Sequence, residues 1–139
     1  MNTNVNPSMD DTGKLVLRAV LAILILFHGV SKITGGAGFI TGLVAKAGLP
    51  EAFGYLVYVG EVLAPLLMLV GFWARAAALV IVVNMIVAIA LVHMGDLFQV
   101  GKTGGWALEL QGMYLAAAIA VALLGAGRYS IGGAAGKWN

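Results

Sequence analysis

Apolar residues gather in four stretches of this chain, 14–33, 52–71, 76–93 and 106–125, separated by short links that hold glycine or charge. Each stretch is close to the ~20 residues that an α-helix needs to cross the hydrocarbon core of a bilayer. The links are too short for a second domain. The pattern therefore predicts an all-α integral membrane protein, one bundle of four transmembrane helices over 14–128. Between the first two stretches, Phe39, Ile40, Leu43, Val44 and Ala47 repeat at helical spacing between Gly38 and Gly48. That spacing predicts a short interfacial helix ahead of Pro50, which suits the first turn of the second span. The polar segment 1–13 holds Pro7, Asp10, Asp11 and Gly13 and reads as a flexible leader. Segment 129–139 reads as a tail.

Composition agrees with the pattern. With 61% hydrophobic and 10% charged residues among 139, the chain lacks the polar surface that a water-soluble globule needs. Lys14 precedes the first stretch as in a signal peptide, but Arg18 interrupts it and no small-residue cleavage pattern follows Phe27, so it reads as a retained helix. If the helices alternate, one side holds Lys14, Arg18, Arg75, Arg128 and Lys137 and the other Lys32, Lys46 and Lys102. The richer side is expected in the cytoplasm, with both termini. The net charge of +2 is spread thinly, with no dense basic run that would suggest nucleic-acid binding. The absence of cysteine excludes thiol relays, thiolate zinc sites and iron–sulfur clusters, so a redox reaction would have to occur on a bound molecule.

A few polar groups break the apolar runs. Glu61 lies near the middle of the second stretch, where a charge costs about 2.5 to 3.5 kcal/mol on insertion scales, and such a group belongs in a protein interior. Pro65, four residues on, cannot donate to the carbonyl of Glu61, so the helix is expected to loosen there and to open room for water or a ligand. His28 and Lys32 are four apart on the first helix and stack on one side, with Gly29 permitting close approach. Glu109, Gly112, Ala116 and Ala120 share a face of the fourth helix at the spacing of close-packed small residues, so Glu109 is expected to point into the bundle, away from Gln111. Asn84 and His93 face opposite ways. By its depth near the helix end, His93 is expected to join the shared cavity and Asn84 to make an interhelical hydrogen bond.

Several of these residues form a pattern. Phe27, His28, Gly29, Val30, Ser31 and Lys32, then Gly48-Leu49-Pro50, Glu61, the run 69–75, His93, Gly104-Gly105 with Glu109, and the closing 125–128 together resemble the DoxX family of small bacterial membrane proteins, over nearly the whole chain after Lys14. The resemblance implies four transmembrane helices in the bacterial inner membrane and a role in quinone-linked redox chemistry, as in thiosulfate:quinone oxidoreductase and quinol oxidase subunits. On that reading His28, Glu61, His93 and Glu109 exchange protons. Lys32 and Trp106 contact the ligand, a quinone or a small anion. No metal or haem is expected, and other redox subunits or further copies of the chain are the expected partners alongside membrane lipid. Two other readings stay open: a noncatalytic anchor or assembly subunit, and a small proton-coupled transporter with Glu61 as its coupling acid.

Overall fold

The structure, a computed structural model, describes residues 7–139 and is helical, with no strand longer than an isolated bridge among those residues. Helix α1 spans Pro7–Gly35 and α2 spans Gly38–Lys46. A second membrane-length helix, Glu51–Val70, begins as a 3₁₀ turn, Glu51–Leu56, widens into a π turn, Val59–Leu63, and finishes as α3, Ala64–Val70. Then follow α4, Ala74–Val92, a 3₁₀ turn at Met94–Asp96, and α5, Glu109–Leu124. Three helices, α1, Glu51–Val70 and α4, are long and apolar enough to cross a membrane. The protein is a helical membrane protein.

The four apolar stretches thus appear as helices, with three differences at their edges. Helix α1 begins at Pro7, so residues 7–13 continue the helix where a flexible leader was expected; residues 1–6 lie outside the described part. Asp10 pairs with Lys14 at 2.5 Å one turn on, which supports those first turns. Helix α5 starts at Glu109 and not at 106, and its 16 residues give about 24 Å. The tail 129–139 folds back on the bundle, where Asn139 is buried and its Oδ1 accepts from Ala74 N at 3.1 Å, capping α4.

Small side chains set the core. Ala22, Ala77, Ala78 and Ala118 are buried together with Ile25, Met68, Ile81 and Val121, and they draw α1, α3, α4 and α5 together. Large apolar groups such as Phe27, Val83 and Leu123 point outward, as in a bundle whose solvent is lipid.

Two arginines fix the direction of the helices. Arg18, read above as an orientation charge, is buried at 1% exposure, and its guanidinium donates to the carbonyls of Met68 (2.9 Å), Leu69 (2.5 Å), Ala126 (3.1 Å) and Tyr129. Arg75, at the start of α4, donates to Ala122 and Leu123 at 2.9 and 2.8 Å. Arg18 thereby ties the last turn of α3 to the chain just beyond α5, and Arg75 supplies donors to the last turn of α5, at the negative end of the helix dipole. These contacts require α3 to end where α1 enters the bundle, and α5 to end where α4 begins. The helices therefore alternate in direction, with an Arg18 end and a Lys32 end.

Candidate functional site

The site begins with a missing hydrogen-bond donor. Pro65 withholds the donor that an α-helix would give the carbonyl of Glu61, and Ala64 N bonds to Val59 O, one residue farther back than in an α-helix. The turn widens as expected, and the freed carbonyl lies against Gly29 of α1. A Cβ on Gly29 would overlap that oxygen. On the other side, a Cβ on Gly60 would sit 2.5 Å from Asn84 Cγ. Two glycines thereby let three helices converge at one level.

At that level Glu61 is buried at 6% exposure. Lys32 Nζ donates to Glu61 Oε2 at 2.6 Å, and Asn84 Nδ2 reaches Oε1 at 3.5 Å. Tyr58 donates its hydroxyl hydrogen to Lys32 O at 2.9 Å and so holds the last turns of α1 against the second helix. A charge-assisted bond of this length, from a partly buried ammonium to a buried carboxylate, fixes the carboxylate in place. The Asn84 contact is at the outer limit of a hydrogen bond, so Oε1 keeps accepting capacity for a further donor.

Glu61 and Asn84 also form the polar floor of a cleft of about 750 Å³ between α2, the second helix and α4. Its walls are apolar, with Leu43, Phe53, Val57, Leu79, Val83 and Val87 among them. Val83 and Val87 are exposed on the lipid-facing surface, so the cleft opens sideways. A slot of this kind suits a molecule with an apolar body and a hydrogen-bonding head.

The other expected site residues lie elsewhere. His28 is exposed beside the α1 and α5 contact, where its ring meets Tyr114 edge-on at 6.1 Å, while Lys32 turns away from it to Glu61. His93 caps α4, with Nδ1 3.5 Å from Asp96 Oδ2 and Nε2 3.3 Å from Gln111 Nε2. Glu109 is exposed and lies against Gly105. The buried face of α5 is Tyr114, Ala118 and Val121, not the stripe of Glu109, Gly112, Ala116 and Ala120, so Glu109 does not point into the bundle. Trp106 donates its indole N–H to Leu97 O at 2.7 Å and packs on Gly112, away from Lys32.

Asn84 makes the interhelical hydrogen bond expected of it, but its partner is Glu61, so Asn84 and not His93 lines the cleft. Depth measured from the middle of a helix finds the right one: Asn84 stands halfway along Ala74–Val92 as Glu61 does along Glu51–Val70. Helix ends, by which His93 was chosen, lie at different depths in different helices.

The family model for DoxX matches residues 13–94. The chain belongs to the DoxX family. The matched part of this DoxX protein runs from α1 to the end of α4 and contains Lys32, Tyr58, Gly60, Glu61 and Asn84, every residue of the converged site. It stops short of Trp106, Glu109 and α5, so the match covers less of the chain than the resemblance suggested. No curated protein and no solved structure matches the chain.

Proposed function

We infer that this DoxX protein is a quinone-linked redox subunit whose ligand lies in the cleft beside Glu61. The observation that carries the reading is the Lys32, Glu61 and Asn84 cluster at the floor of an apolar slot. A quinone, when bound, carries two electrons and two protons and joins a small polar ring to an apolar tail. The residues fit such a group: the apolar walls accept ring and tail, Asn84 Nδ2 donates to a ring carbonyl, and Glu61 Oε1 accepts from a ring hydroxyl. Lys32 keeps the carboxylate oriented toward that hydroxyl and balances its charge. Glu61 is then the group placed to hold a proton leaving the ligand, and His28, His93 and Glu109 are too dispersed to share one contact with it.

In the same reading α5 is the fourth crossing, α2 lies along the membrane surface, and the protein sits in a bacterial inner membrane. The Arg18 end, with Arg75, Arg128 and both termini, faces the cytoplasm by the positive-inside rule. The cleft then belongs to the half of the membrane nearer the exterior.

Purification in a mild detergent, lipid extraction and spectroscopy test the proposal. Wild-type protein is expected to retain quinone and to support quinone-dependent turnover in its complex, and both are expected to fall in Glu61→Gln and Asn84→Leu. If turnover survives Glu61→Gln unchanged, the 2.6 Å ion pair is a structural lock and the protein an anchor. Uptake driven by a pH gradient in quinone-free proteoliposomes would instead make it a transporter.

A further inference from the structure

The cleft beside Glu61 has two fixed walls and one held in a different way. The fixed walls are the second helix and α4, tied to each other through Glu61 and Asn84 and to α1 through Lys32 and Tyr58. The third wall is α2, which contributes Ile40, Leu43 and Val44. Among the described residues no hydrogen bond or ion pair joins α2 to another helix. Its bonds stay within 37–49: Thr41 Oγ1 donates to Gly38 O, Ala47 N to Leu43 O, Gly48 N to Ala45 O and Leu49 N to Val44 O.

Apolar contact alone seats α2 on the bundle. Val44 is buried, and Thr41 lies on Gly54 in the 3₁₀ turn of the second helix, where a Cβ would come within 2.7 Å of Thr41 Cα. Such contact is non-directional, so it holds the helix down without the angular constraint of a hydrogen bond. Both links to α2 are free to turn. Gly36 and Gly48 each have φ of +83°, and a Cβ on either would meet nothing within 4 Å. Glycine moves between positive and negative φ at little steric cost, and moving elements swing on a few such residues at their ends. Pro50, whose ring fixes φ, stops the swing where the second helix begins.

We propose that α2 is a hinged lid on the cleft, swinging on Gly36 and Gly48 between a seated position, in which Ile40, Leu43 and Val44 wall the slot, and a raised one that uncovers it at the Lys32 end. With the lid seated, the floor of Glu61 and Asn84 is reached sideways, past Val83 and Val87. With it raised, the floor is reached from the membrane surface as well. The lid goes beyond the quinone reading, since it acts on whatever the cleft binds.

The chain has no cysteine, so two introduced cysteines carry spin labels at chosen positions only. Lys46→Cys on α2 and Met113→Cys on α5, both exposed and outside the cleft, are labelled in the full chain in lipid nanodiscs, and pulsed electron paramagnetic resonance reads their separation. Two separations are expected without ligand. Gly54→Ala, whose Cβ presses on Thr41, is expected to raise the raised-to-seated ratio roughly fivefold or more. A short-chain quinol is expected to lower it by a similar factor, an effect that rests on the quinone reading. The same distribution in wild type and Gly54→Ala would overturn the lid, as would a single separation in wild type should the variant not fold. If Gly54→Ala shifts the distribution and the quinol does not bind, the lid stands and the quinone reading fails. If the quinol binds saturably and the ratio does not move, α2 does not cover the ligand and the lid is overturned.

Discussion

Two residues without side chains decide where the one buried acid sits. Gly29 admits the Glu61 carbonyl that Pro65 left free, and Gly60 admits Asn84. Gly29→Ala sets a Cβ against backbone that cannot move aside, and is expected to cost about 1 to 3 kcal/mol of stability. Gly13→Ala, in α1 with nothing within 4 Å, is the matched control and should be neutral or stabilise by up to about 1 kcal/mol. Chemical unfolding in detergent followed by circular dichroism reads both; equal midpoints would deny the close approach. The ion pair is expected to be asymmetric in the same assay. Lys32→Met strands a buried carboxylate at a cost of about 3 to 5 kcal/mol. Glu61→Gln, which retains a hydrogen-bonding oxygen, should cost less. The reverse order would mean that Lys32 reaches water and serves Glu61 little.

At the scale of elements, the length and period of apolar runs made three membrane-length helices and α2 legible in the sequence, and Pro65 announced the irregular turn. The fourth helix was misjudged at its start because Trp106 to Leu108 are as apolar as a helix turn, while the indole N–H bonds to Leu97 O and Ala107 N to Gln99 O, which hold them in the preceding loop. Arg18 was legible as a charge but not as a buried one, since its carbonyl partners come from two distant helix ends. A planar fork suits that set of acceptors and a lysine ammonium does not. Arg18→Lys is therefore expected to destabilise the bundle by about 1 to 3 kcal/mol for each carbonyl left bare. Faster hydrogen exchange at 125–133 and at the end of α3 would accompany the loss. Unchanged exchange there would show that the arginine is not what joins those ends. Pro65→Ala supplies an α-helical donor for the Glu61 carbonyl and should narrow the π turn, so that the new amide at 65 exchanges as slowly as its helical neighbours while binding in the cleft weakens; a fast-exchanging amide there would show that the turn stays wide.

The whole molecule combines an outer surface made for lipid with one polar level where α1, the second helix and α4 meet. Which polar groups would share that level was only partly legible: Glu61 stood out by its cost in an apolar run and Lys32 by its spacing from His28, whereas His93 was chosen by nearness to a helix end, and in the structure His28, His93 and Glu109 are scattered. Of the expected site residues, Lys32 and Glu61 meet, and Glu61 and Asn84 line the cleft. The most direct test is the dissociation constant of a short-chain quinol for the purified protein in detergent, compared between wild type and Glu61→Gln in samples that unfold at the same denaturant concentration. Loss of a charged acceptor for the ring hydroxyl is expected to weaken binding about tenfold or more, equivalent to at least about 1.4 kcal/mol. Equal affinity in the two proteins, or no saturable binding to either, would contradict a quinone site at Glu61.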